Sequence, residues 1–234
     1  MKILYHLCFI LLLCNLAPLT ASGDKHLFIL SGQSNMERLD PATSFIPVVE
    51  SAFGAENVTV VHHADGGRAI AYWYKGKGAK GAGAKQGTIY DVLMKKVNAA
   101  AEGETYQTVS FVWMQGERDA NSRVKNGDVY GEYLQGLIDQ LSADLGRDDL
   151  NVVIGRLSDF GTGNPNGPRK YADWTKVREA QMAVADSNPR YTWVDSDDLN
   201  DEGNKKNDLH LYPNTYPILG QRFADAAIQL IQGK

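Results

Sequence analysis

Five stretches of the chain are apolar for long enough to form strands: residues 26–31, 58–62, 109–114, 152–157 and 192–194. The first, third and fourth are nearly continuous in apolar residues rather than alternating, the pattern of strands covered on both faces. Between them apolar positions recur at the helical period, which predicts helices over 46–53, 89–101, 130–145 and 174–185, and a last one from about 216 to 231. Strand and helix alternate five times. That order predicts an α/β domain, a three-layer α/β/α sandwich around a five-stranded parallel sheet. No internal repeat and no linker interrupts it. In such sheets the ligand site lies beyond the carboxyl ends of the strands. Chemistry is therefore expected in the loops 32–36, 64–73, 115–121, 158–170 and 196–212.

The segment 75–87 breaks the pattern with glycine, alanine and four lysines. It reads as a mobile surface loop, with a basic rim for an acidic glycan as the alternative. The other break is at the start. Lys2 precedes an apolar run from Ile3 to Leu13, and Pro18, Thr20, Ala21 and Ser22 follow. A positive start, an apolar stretch too short for a bilayer and a small-residue end read as a secretory signal peptide over 1–22. The mature domain is then 23–234, secreted or periplasmic, with no stable membrane association after cleavage. Leu12 and Leu13 stand where a lipobox wants small residues, so Cys14 does not read as a lipid anchor.

Composition then narrows the chemistry. Both cysteines, Cys8 and Cys14, fall in the leader, so the mature chain has no disulfide, thiol nucleophile or cysteine-ligated zinc. Twenty-four Lys plus Arg against 28 Asp plus Glu give a net charge of −4. A mildly acidic chain argues against nucleic acid or anionic lipid as partner. His62 and His63 are adjacent, and neighbouring residues of a strand point to opposite faces, so neither a metal nor another cofactor is expected. Asn57-Val58-Thr59 is a sequon, relevant only in a eukaryotic secretory pathway.

Four short motifs occupy the expected loops. Gly32-Gln33-Ser34-Asn35-Met36 follows the first strand, where a serine presents its hydroxyl and backbone N–H to the cleft. Asp65-Gly66-Gly67-Arg68 follows the second, and adjacent glycines let an N–H approach a substrate oxygen. Gln115-Gly116-Glu117-Arg118-Asp119 ends the third, offering an amide donor with carboxylates behind it. Asn207-Asp208-Leu209-His210 precedes the last helix, and a histidine near a carboxylate can act as an oriented base. Each alone reads as an ordinary cap, turn or strand end. Together they supply nucleophile, base, orienter and oxyanion donors at one sheet edge. Tyr72, Trp73 and Tyr74 lie beside the second motif, either as a stacking surface for a sugar or as packing under the glycine-rich loop.

The set resembles the SGNH-hydrolase superfamily, a flavodoxin-like fold, and more narrowly its sialate O-acetylesterase and acetylxylan esterase branch, carbohydrate esterase family 6 and its relatives. The Gly-Gln-Ser-Asn-Met block, Gln-Gly-Glu with a nearby Asp, Gly-Gly-x-x-Ile with Trp73, and Thr88-Ile89-Tyr90-Asp91 carry the likeness, which runs from about Leu27 to Ala226. It implies a serine esterase acting on acetylated carbohydrates through an acyl-enzyme. Ser34 is then the nucleophile and His210 the base. The Ser34 N–H, the Gly66 N–H and the Gln115 amide form the oxyanion hole, and Glu117 and Asn35 brace the site. The superfamily often places its aspartate three residues before the histidine, where this chain has Asn207. Asp208, two before, resembles the arrangement in some relatives and is the expected orienter. Arg68 stands where the branch usually has a small residue, and either narrows the pocket or meets a sugar carboxylate. Two other classes remain on the same scaffold: an esterase or lipase for a non-carbohydrate ester, and a non-catalytic glycan-binding protein.

Overall fold

The computed structural model describes residues 23–160, 171–201 and 208–233. The expected leader 1–22, Asn207 and most of the loop 158–170 lie outside these. Five strands, β1 (His26–Gly32), β2 (Val58–Ala64), β3 (Thr108–Met114), β4 (Asn151–Gly155) and β5 (Tyr191–Val194), form one sheet in the order β2-β1-β3-β4-β5. Every neighbouring pair is parallel. This is the doubly wound arrangement expected, and its switch point lies between β1 and β3.

The inner strand β1 is buried along its whole length, because its side chains feed two cores. Leu27 and Ile29 point to one face with Phe111, Trp113, Val152 and Ile154. There α3 (Thr88–Ala100), α4 (Tyr130–Leu145) and α5 (Trp174–Asp186) close the layer through Leu93, Leu137 and Val177. Phe28 and Leu30 point to the other face with Val112, Met114 and Val153. Phe45 and Val49 of α2 (Phe45–Phe53) and Leu219 and Phe223 of α6 (Tyr216–Gln232) cover them. Alternate residues facing two apolar layers explain why β1 reads as an uninterrupted run.

The expected elements are all present, with ends moved by one or two residues. The fourth strand stops at Gly155 rather than 157. Past this end the Arg156 N–H still donates to the Val194 carbonyl at 3.0 Å, while its side chain binds Asp195 at 2.7 Å and Asp197 at 2.8 Å and lies over Trp193 at 4.4 Å. A short helix, α1 (Ser34–Arg38), follows β1 at once.

The 75–87 segment is pinned rather than loose. Gln86 Nε2 donates to the Tyr74 and Gly76 carbonyls, Asn126 Nδ2 to the Lys80 carbonyl, and Tyr133 Oη to the Gly78 carbonyl. Side chains from two other parts of the chain supply the order that its own composition does not. Among the described residues no helix is long and apolar enough to cross a membrane.

Candidate active site

The site sits at the switch point, where β1 and β3 end side by side. Gly32 closes β1 with φ 151°, and a Cβ there would lie 1.9 Å from the Met114 carbonyl oxygen. Only glycine lets the two strand ends approach so closely before the chain turns. The turn delivers Ser34 as the first residue of α1, so its N–H has no partner within the helix.

From the other side of the sheet edge the segment before α6 brings in His210. Ser34 Oγ and His210 Nε2 are 3.1 Å apart, although 176 residues separate them in sequence. Both line a cavity of about 300 Å³, together with Gln33, Gly66, Glu117 and Arg118. A Cβ on Gly66 would stand 3.5 Å from Ser34 Cβ and 2.7 Å from Glu37 Oε2, so the glycine loop lies directly against Ser34.

Two buried carboxyls organise the walls. Asp119 Oδ2 accepts from the Ile70 N–H at 2.8 Å and Gln115 Nε2 at 2.6 Å, and Oδ1 accepts from Asn126 Nδ2 at 2.6 Å. Burial, opposed by these donors, pushes its pKa up to about 6. Glu117 Oε1 accepts from Asn35 Nδ2 at 2.8 Å, and Oε2 has no hydrogen-bond partner among the described residues. Burial pushes Glu117 up to about 7. Asn35 Oδ1 in turn accepts from the Leu211 N–H at 3.2 Å and from Tyr216 Oη at 3.0 Å. The residue after Ser34 thus ties down the residue after His210, and Glu117 joins this network through Asn35.

Two expected placements need correcting. Asp208 does not reach the imidazole: its Oδ1 faces the His210 backbone N–H at 3.4 Å. Two residues of separation suit an Asx-type bond to the backbone better than a bond to the ring. No carboxylate hydrogen-bonds to His210 Nδ1 among the described residues. His210 is held below its ordinary value by burial and by the Arg38 charge, with Asp208 opposing.

Gln115 is turned inward. Its Nε2 donates to Asp119, to the Arg68 carbonyl at 2.9 Å and to Gln33 Oε1 at 3.3 Å, and the residue is fully buried behind the cavity.

Other expectations resolve by packing. Trp73 is buried, stands edge-on to Trp113 at 5.2 Å and donates from Nε1 to Ser31 Oγ, so packing claims it. Tyr74 stacks on Tyr133 at 5.5 Å. Arg68 pairs with Asp65 at 3.2 Å and lies over Tyr72 at 5.2 Å, which leaves it outside the cavity lining. His62 Nε2 bonds the Met36 carbonyl at 3.0 Å.

Several lining residues carried no assigned role in the sequence, among them Gln33, Arg118 and Tyr171. Gln33 and Arg118 lay inside recognised motifs, and Arg118 has no ion pair among the described residues. Tyr171, which packs edge-on to Trp174 at 5.7 Å, gives the cavity its aromatic wall in place of the Tyr72–Tyr74 cluster. Nothing in the local sequence singles out Tyr171.

Residues 37–229 match the family model described as carbohydrate esterase, sialic acid-specific acetylesterase. The chain belongs to this family. It is accordingly a carboxylic ester hydrolase of the carbohydrate acetylesterase class. No curated protein matches it significantly.

Among solved structures it is similar to a protein from Arabidopsis thaliana, at 22% identity over 88% of this chain and 98% of that one, with a TM-score of 0.64. It is also similar to a carbohydrate acetylesterase from Xanthomonas citri, at 18% identity over 89% of this chain and 56% of that one, TM-score 0.63. A third similar structure is a lipolytic protein of the G-D-S-L family from Veillonella parvula, at 15% identity over 88% of this chain and 98% of that one, TM-score 0.53. At these identities the likeness establishes the fold.

Proposed function

We propose that this family member is a secreted serine esterase that removes acetyl or other short acyl groups from carbohydrates through an acyl-enzyme on Ser34. The observation that carries the reading is the 3.1 Å approach of Ser34 Oγ to His210 Nε2 inside the cavity. His210, neutral because burial disfavours its charged form, takes the serine proton as Oγ attacks the ester carbonyl. The Ser34 and Gly66 N–H groups receive the oxyanion. As the intermediate collapses and its bond to the sugar oxygen breaks, the imidazolium protonates that oxygen and frees the sugar hydroxyl. Water, deprotonated by the same imidazole, releases the acid and restores Ser34. Asp208 assists by its charge, which favours the imidazolium, and by holding the His210 backbone.

The test compares hydrolysis of p-nitrophenyl acetate by the mature protein and by Ser34→Ala. Loss of the nucleophile is expected to lower kcat by about 10⁴-fold or more. A wild type no faster than Ser34→Ala would sink the catalytic reading and leave a glycan-binding protein. A preference for long acyl chains over acetyl would point to a lipid ester instead. Secretion rests on the leader 1–22, and N-terminal sequencing of the exported protein, expected to begin near residue 23, checks it.

A further inference from the structure

An amide side chain is oriented by what binds its oxygen. Gln33 Oε1 accepts from the Arg118 backbone N–H at 3.2 Å and from Gln115 Nε2 at 3.3 Å. A backbone N–H is only a donor, so the oxygen must be the end of Gln33 that faces the loop after β3. The NH₂ is thereby turned the other way. Gln33 is 3% exposed and lines the cavity beside Ser34 and Gly66, and its Nε2 makes no hydrogen bond among the described residues. Gln115 is the opposite case. Its two amide hydrogens are shared among three acceptors, one of them the Asp119 carboxylate at 2.6 Å, and it does not line the cavity. Redirecting them would strip a buried carboxylate of a donor, whereas Gln33 gives up nothing by donating.

We propose that Gln33 Nε2 is the third oxyanion donor of this esterase, with Gln115 holding Gln33 in place from behind. The assignment rests on the serine-esterase reading above. It makes Gln33, one residue before the nucleophile, a catalytic residue that touches the reacting carbonyl oxygen. The donor set is then Ser34 N–H, Gly66 N–H and Gln33 Nε2. The order of command also changes: Asp119 fixes Gln115, Gln115 fixes Gln33, and Gln33 meets the oxyanion.

Two variants separate the donor role from its alternatives. Gln33→Glu keeps the acceptor for Arg118 and Gln115 but removes the NH₂ and adds charge. Gln33→Met is neutral and of similar length, and lacks both donor and acceptor. Steady-state hydrolysis of p-nitrophenyl acetate is measured for each, with thermal melts to show that both are folded. A donor predicts that kcat falls about 10²–10³-fold in both variants while KM stays within about threefold. A loss in Gln33→Glu alone would mean charge repulsion, and a loss in Gln33→Met alone would mean positioning through Oε1. Either of these, or full activity in both, overturns the assignment while leaving the esterase reading intact. An inactive wild type removes the esterase reading itself, and the assignment with it.

Discussion

Glu117 and Asp119 stand two residues apart and both carboxyls are buried, but they tie down different segments around one cavity. Asp119 holds the oxyanion wall. It grips the Ile70 N–H, which fixes the loop carrying Gly66, and it grips Gln115. Glu117 holds the base wall through Asn35, which reaches Leu211 beside His210. Both Asp119 oxygens have side-chain or backbone donors, whereas Glu117 Oε2 has none among the described residues. Burial raises Glu117 to about 7 and Asp119 to about 6. The oxyanion wall is thus fixed by a saturated ionic hub. The other wall rests on the Asn35 amide and on a carboxyl that burial, opposed by Asn35 and by backbone donors, pushes up to about 7. A donor array must be in place before charge develops, so the more saturated anchor serves the wall where prior placement matters most.

Breaking the stronger anchor has the largest effect. Asp119→Ala leaves the Ile70 N–H without a partner and removes one acceptor each from Gln115 and Asn126. The cost is about 3 kcal/mol of stability, about 6–12 °C in Tm for a domain of this size. Activity is expected to fall as well, because the Gly66 loop loses its tie. Melts of the variant check this, and a Tm within about 2 °C of wild type would remove Asp119 from its role as hub.

Breaking the weaker anchor costs less stability but acts on catalysis. Asn35→Ala unties Leu211, Tyr216 and Glu117 together. About 2 kcal/mol is expected, with kcat reduced about tenfold as His210 loses its fixed approach to Ser34. Comparing kcat with Tm in the same variant sharpens the contrast: Asp119→Ala should lose more stability per unit of activity than Asn35→Ala.

These anchors also mark how far the sequence was legible. Apolar runs revealed the sheet because β1 and β3 face two cores, and periodicity alone then fixes their layer. Ser34 and His210 stood out as candidates because a nucleophile and a base have few residue types to choose from, and the structure brings the two side chains together in one cavity. The direction of an amide was not. Gln115 and Gln33 carry the same group, and only their acceptors decide which NH₂ faces the cavity. Asp208 failed for a related reason: sequence spacing does not say whether a carboxylate bonds to a ring or to its backbone. Trp73 and Tyr171 exchanged places because burial is a tertiary property: Trp113 claimed the first, and the second lines the cavity.

A third prediction uses the titration of the base wall. Glu117 is raised in the folded state from its ordinary 4.5 to about 7, so between these values the folded protein holds more proton than the unfolded chain. Stability from this group is complete below about pH 4.5 and is lost as pH rises through about 7. Asp119 adds a change of the same sign between 3.8 and about 6. Glu117→Gln should flatten the fall in Tm between pH 5 and 7, recovering about 1 kcal/mol or more at neutral pH relative to its own value at pH 5. An unchanged slope would show that Glu117 is ionised throughout.

The smallest effect concerns the base itself, and its sign is the point of the measurement. Burial lowers His210 first, the Arg38 charge lowers it further, and Asp208 opposes both. The active base is neutral, so the acid limb of kcat/KM should have its midpoint below 6.5. Arg38→Ala should move that limb to higher pH, and Asp208→Asn to lower pH. A ring-bonded orienting carboxylate would behave differently on removal: kcat/KM would fall steeply at every pH. Asp208 meets the backbone instead, so Asp208→Asn should keep much of its plateau activity while its limb shifts. A collapse of the plateau in Asp208→Asn would mean that Asp208 turns to the ring during the reaction, and the base wall would then have a second anchor.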